Sequence, residues 1–389
     1  MVILLFTAFI PFQSTQAGAA TKGTVSVGIV CGCTGPLASS TSTSPQSYES
    51  WANAVNAKGG INGYKINVIV KDDQSSPANG LQDAQTLIQV DHVVALVDAT
   101  DTETAWAAFA KQEGVPVVGG FNLSIDDLTS SNFFATGTTE DAFTLAEVLG
   151  GKKVHATKIA EFYCAEDPLC AEIVPVLKST AAANGVSVVA VSEISAAQPN
   201  YTAQCLAARQ AGATYVGIGE SVTAVEAMAA DCSRQGYFPW YQIADGGVSK
   251  SFTSAVGLNT KSFGYETGLP FFDTTASAAK KMIAAIKKTA PQILSNPNYN
   301  QDNVSMYASA VLFGQALEAG TAGKSGPVTT QEIYKGLYTI HNDTLGGLSP
   351  PLTFKPNQPN PVDCWYWVGM AHHHFTTPDG LKPVCKPSS

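Results

Sequence analysis

Val25-Ser26-Val27-Gly28-Ile29-Val30 is an apolar run of strand length, and the pattern that follows it decides the fold. Residues Gln46 to Lys58 read as a helix and Lys65 to Lys71 as a second strand. The alternation then continues along the chain. Strands are expected at Val93 to Val97, Val115 to Val118, Lys158 to Tyr163, Ser187 to Val191, Tyr215 to Ile218 and Tyr241 to Ala244. Helices are expected at Ala78 to Gln89, Thr102 to Gln112, Ala142 to Leu149, Cys170 to Asn184, Thr202 to Gln210 and Thr223 to Gln235. Strands that alternate with helices build parallel sheets with crossover helices, because the crossover needs a segment long enough to return the chain. Four strands fall before residue 140 and four after. The expectation is therefore an α/β protein of two doubly wound parallel-sheet lobes, with a ligand cleft beyond the carboxyl ends of the strands. A helix after about Ala276 returns to the first lobe, and the Pro- and aromatic-rich tail from Pro350 lays irregular strands on the second. The boundaries are then 21–140 plus 268–347 for lobe 1 and 141–267 plus 348–389 for lobe 2.

At 389 residues and 45% hydrophobic content the chain can bury two cores. Charged residues make up only 14% of it, with 22 Lys and Arg against 31 Asp and Glu, so the net charge is −9. No basic stripe is present for a nucleic-acid backbone. The longest apolar run, Val2 to Ile10, is too short for a bilayer core that needs about 20 residues. It reads as the apolar part of a signal peptide over residues 1–20, with Ala17 to Ala20 as a cleavage region, so an extracytoplasmic location is expected.

Eight cysteines agree with an oxidising compartment. Local pairing suggests Cys164 with Cys170, Cys205 with Cys232 and Cys364 with Cys385, leaving Cys31 and Cys33 to each other or as free thiols. Motifs for catalysis fail. Gly217-Ile218-Gly219 lacks the third glycine of a phosphate loop, Gly323-Lys324-Ser325 lacks the leading glycine, and Ser221 has no closing glycine for a nucleophile elbow. His372-His373-His374 on a strand would point to alternate faces and reads as a solvated hairpin. Neither a cofactor nor a metal site is expected.

The stretch Thr34-Gly35-Pro36-Leu37, then Ala54-Val55-Asn56-Ala57-Lys58-Gly59-Gly60-Ile61-Asn62-Gly63 with Asp72-Asp73 downstream, resembles the extracytoplasmic solute-binding proteins of branched-chain amino-acid ABC importers. Gly114-Val115-Pro116-Val117, Gln235-Gly236 and Tyr307 to Glu318 extend the similarity over roughly Gly23 to Gly369. The resemblance implies a type I periplasmic binding protein: two lobes joined by three crossing segments, hinge closure on a ligand, and no catalysis. It also implies that Thr100 with Phe121, Asn122 and Leu123 hold a ligand carboxylate, aided by a helix N-terminus near Thr102. Thr100 could equally serve as a plain helix cap. Asp245 matches the acidic residue that binds an ammonium group, or caps a turn before Gly246-Gly247. Tyr163, Phe121 and Phe271 are wall or core residues, and Ser221 stands where the family commonly has an aromatic. Cys164 to Cys170 replaces another such aromatic. The resemblance implies as ligand an amino acid or a related carboxylate or amide, delivered by a monomer to ABC permease subunits, and the departures at these aromatic positions count against an amino acid. A sensor signalling to a membrane receptor, or an extracytoplasmic enzyme, is the alternative.

Overall fold

The computed structural model describes residues 22–121, 125–166, 169–244 and 247–386, so the expected signal segment lies outside the described residues. Strand β1 (Gly23–Cys31) is flanked by β2 (Tyr64–Asp72) and β3 (Leu96–Ala99), and β4 (Val117–Gly120) and β5 (Phe133–Phe134) complete the first sheet in the order β2-β1-β3-β4-β5. All its pairings are parallel. The opening run explains why. Val25, Val27 and Ile29 pack into the core that contains Tyr48 and Trp51 of helix Pro45–Ala57, whereas Val30 joins Leu87 and Trp106 on the opposite face. A strand buried on both faces is apolar throughout, and such a strand belongs inside a parallel sheet.

The second sheet is built from β6 (Lys158–Cys164), β7 (Ser187–Ile194), β8 (Tyr215–Gly219), β9 (Trp240–Ile243) and β10 (Ser262–Glu266). A small ribbon, β11 (His341–Asp343) with β12 (Leu352–Thr353), precedes the tail strands β13 (Cys364–Ala371), β14 (His374–Thr376) and β15 (Val384–Cys385). The order is β14-β13-β10-β9-β8-β6-β7, with β13 antiparallel to β10. From Cys364 the tail therefore extends the second sheet with a regular eight-residue strand in place of the irregular strands expected, while Leu352–Thr353 pairs with β11 in the separate ribbon. His372 and His373 form the exposed turn between β13 and β14.

Three chain segments meet between the sheets. The Thr138 amide donates to the Thr267 carbonyl at 3.3 Å, the Leu269 amide to the Leu348 carbonyl at 2.9 Å, and the Ser349 hydroxyl to the Thr136 carbonyl at 2.6 Å. Helix Gln301–Gly320 lies against β4 and helix Pro45–Ala57, is buried along most of its length, and starts at an Asn300 cap answered by Asn303. All four disulfides form, including Cys31 to Cys33.

Several boundaries differ from the sequence expectation for physical reasons. The expected strands at Val93 and Val115 begin later, at Leu96 and Val117, because their first residues are spent entering the sheet. Strands β5 and β10 are not anticipated at all: β5 has two residues, and β10 contains Gly264, which weakens the strand signal. The helix expected from Thr102 opens as a single 3-10 turn, Glu103–Ala105, and becomes an α-helix only over Ala107–Gln112. Among the described residues no helix is long and apolar enough to cross a membrane.

Candidate functional site: an acidic cleft

The carboxyl ends of β1, β3 and β4 face those of β6, β8 and β9 across a cavity of about 210 Å3. Lobe 1 contributes Leu37, Ser40 and Thr41 after β1, then Asp98 and Thr100 at the end of β3 and Phe121 after β4. Lobe 2 contributes Glu161 and Tyr163 on β6, Glu220 and Ser221 after β8, Gln242 on β9 and Tyr265 on β10. Helix Glu140–Lys153 closes the floor with Phe143 and Glu147. At the mouth the lips touch: Ser40 Oγ accepts the Val222 amide at 3.4 Å, and Ser39 Oγ lies 3.4 Å from Thr223 Oγ1.

The sequence-derived residues divide. Thr100, Phe121, Tyr163 and Ser221 line the cavity. The Thr100 hydroxyl donates to the buried Asp73 carboxylate at 2.5 Å, and Thr102, outside the cavity lining, donates to the same oxygen at 2.6 Å. Both hydroxyl protons are therefore committed to Asp73. Phe271 sits apart, in an aromatic cluster with Phe272, Tyr299 and Phe375 at ring separations of 5.4, 6.3 and 5.2 Å. Asn122, Leu123 and Asp245 lie outside the described residues.

What sequence reading missed is the charge. Seven carboxyl groups line the cavity, those of Asp98, Asp101, Glu103, Glu147, Glu161, Glu220 and Asp302, and none of its lining residues is Lys, Arg or His. The residues outside the described ranges contain no Lys, Arg or His either. A signal existed: Glu161 interrupts the otherwise apolar strand Ile159 to Tyr163, where a charged residue is rarely buried without a specific partner.

Burial drives the electrostatics. Asp98 is pushed well above the usual carboxylate range, first by desolvation and then by Glu103, Asp127 and Asp101. Glu147 rises to about 7 by burial, against the lowering influence of the neighbouring Glu161 carboxyl and Gln242 amide. Glu161 is raised by burial and by the Glu147 charge. Glu220 also rises to about 7, chiefly by burial, while it accepts the Ser221 amide at the start of helix Val222–Arg234. That helix terminus is thus already met by an internal carboxylate, which occupies the place an anionic ligand would take.

The cleft is a cavity lined by both sheets and rich in carboxyl groups. No curated protein matches the chain. A branched-chain amino acid ABC transporter protein from Thermus thermophilus with bound valine is similar in structure, with a TM-score of 0.81 at 14% identity, over 94% of this chain and 97% of that one. A fatty acid ABC transporter substrate-binding protein from Thermomonospora curvata gives 0.74 at 20% identity, over 95% and 93%. A possible leucine/isoleucine/valine-binding protein from Rhodopirellula baltica SH 1 gives 0.78 at 15%, over 94% and 98%. At such identities the likeness is one of fold. The family model described as periplasmic binding protein matches residues 24–372, and the chain belongs to that family.

Proposed function

We propose that this protein captures a small organic solute outside the cytoplasm by closing its two lobes around it, and hands the closed form to an ABC permease. The single observation that carries the reading is the cavity lined by both lobes, whose lips meet at Ser39 and Ser40 against Val222 and Thr223. A cavity shared between two sheets is created or destroyed by their relative motion, so ligand contact energy can be coupled to closure. The segments that meet around Thr136 to Thr138, Thr267 to Leu269 and Leu348 to Ser349 are the hinge in this reading. The apparatus for chemistry is thin by comparison: Ser221 has Thr223 beside its hydroxyl at 3.4 Å, and a threonine is no general base.

The relatives named above include one with bound valine and one named for a fatty acid. The ammonium group of an amino acid suits the carboxylates of this cleft. A fatty-acid carboxylate would add a negative charge to a wall that offers it no cationic partner.

A thermal-shift screen of the purified mature chain against amino acids, amines, amides and aromatic acids tests the reading. A captured solute at 100 times its dissociation constant stabilises the native state by about 2.7 kcal/mol through mass action. The expected result is a raised transition with the solute recovered unchanged. Steady conversion of the solute to a product would contradict it.

A further inference from the structure

We propose that the captured solute is an organic cation: an amine, amidine or guanidine whose charged end sits between Glu147 and Glu161, on an apolar body lying along Phe143 and Tyr265. The proposal deepens the solute-capture reading and rests on it. Three elements converge on one spot to make the floor of this site, namely helix Glu140–Lys153, β6 and β9. A β-carbon placed on Gly217 would meet Glu161 Oε2, would come within 2.7 Å of Glu147 Oε1 and would lie 2.9 Å from Gln242 Oε1. The three oxygens therefore ring the bare α-carbon of that glycine.

Their burial makes the arrangement informative. Glu147 is 2% and Glu161 5% exposed, and Glu147 Oε1 and Glu161 Oε2 receive no hydrogen bond from a donor group among the described residues. With no cation present, the pair can be satisfied only by sharing a proton with each other, beside the Gln242 amide at Glu147. An unsatisfied buried carboxylate oxygen is costly, and a facing pair of carboxyls costs more unless a proton or a cation lies between them. Donor-rich cations meet that need by donating to both acids and to the Gln242 carbonyl. Phe143 and Tyr265 stack at 6.4 Å with an interplanar angle of 13°, and both line the cavity. Such rings pack against an apolar body and attract a cation to their faces. Among the described residues no group of three or more His, Cys, Asp or Glu is placed to hold a metal ion, which favours the organic cation.

Proton competition follows. The titratable groups facing the pair are each other, the Tyr215 phenol on β8, Tyr265 on β10 and Glu220 beyond the end of β8. Burial and mutual repulsion hold the acids protonated at low pH, with Glu147 near 7. Alkylammonium groups stay charged across the same range. Affinity for a cation must then strengthen as pH rises from about 5.5 to about 8, because the carboxyl protons leave the site.

Calorimetry with benzylamine, phenethylamine, agmatine and cadaverine, beside benzyl alcohol, phenylacetamide and phenylacetate, tests the proposal. At least one cation is expected to bind, at least about tenfold tighter at pH 8 than at pH 5.5, while its neutral and anionic counterparts do not. Glu147→Gln/Glu161→Gln should weaken that cation by at least about tenfold, abolish the pH trend and leave thermal stability equal or higher, since a merely structural pair would lose stability. Should the double variant fail to fold, the pH trend of the wild type carries the test alone. Binding of a neutral or anionic solute with no cation bound would overturn the proposal and leave solute capture standing. So would binding of Zn2+ or Ca2+ alone to the same carboxyls. Failure of every class to bind would overturn both.

Discussion

Gly217→Ala is expected to abolish solute capture while leaving the fold in place. The added methyl group would enter the space between Glu161 Oε2, Glu147 Oε1 and Gln242 Oε1, all of which are far ends of side chains. Side-chain ends can rotate away, so the stability change should stay within about 1 kcal/mol. The site cannot adapt so easily. Its use depends on two carboxylates converging on one donor group, and a methyl group wedged there separates them and excludes the ligand. A loss of at least about 100-fold in affinity is expected, equivalent to about 2.7 kcal/mol. Titration of the variant beside the wild type, with circular dichroism as the control for folding, checks it. Unchanged affinity would mean that the solute does not reach the floor of lobe 2.

The second large effect is on stability. Helices Gln301–Gly320 and Thr330–Leu337 approach so closely that a β-carbon on Gly320 would strike the Glu332 carbonyl, and one on Gly336 the Ala316 carbonyl. Two opposing terms act on Gly336→Ala. Alanine favours the helical state by up to about 1 kcal/mol over glycine. Against that, overpacking against rigid backbone costs about 1 to 3 kcal/mol and sometimes more, because main-chain atoms cannot rotate out of the way. The second term wins, and a net loss of about 2 kcal/mol is expected in denaturant unfolding. Gly320→Ala/Gly336→Ala together should lose more than either alone but less than their sum, because one separation of the helices relieves both contacts. A stabilised Gly336→Ala protein would show that the helices stand further apart than described.

The fold was legible because its signal is repetitive. The inner strands β1, β3, β4, β6 and β8 are short runs buried for most of their length, and most expected strands are separated by a helix, so errors at one boundary did not disturb the order of the rest. What failed was local and short: a strand of two residues at Phe133 and Phe134, a strand softened by Gly264, and a helix start at Thr102 that proved to be a single 3-10 turn. The cleft was partly legible. Strand ends bring Thr100, Phe121, Tyr163 and Ser221 to the cavity, because parallel sheets place their functional loops there. Glu147, Glu161 and Gln242 escaped notice, since they lie within elements, and only tertiary packing turns them toward one point. Gly217 shows the difference plainly. As part of Gly217-Ile218-Gly219 it was a failed phosphate motif, whereas in the fold its missing side chain makes room for three polar oxygens. Committed hydroxyls were equally hidden: nothing in the sequence says that Thr100 and Thr102 both spend their protons on Asp73.

Small-angle X-ray scattering of the mature chain, alone and saturated with the solute that raises its thermal transition, tests the central claim most directly. The account predicts one solute bound per chain and a smaller radius of gyration in its presence, because the lobes hinge about the segments at Thr136 to Thr138, Thr267 to Leu269 and Leu348 to Ser349 and close on the cavity between them. An identical radius with and without saturating solute would contradict it.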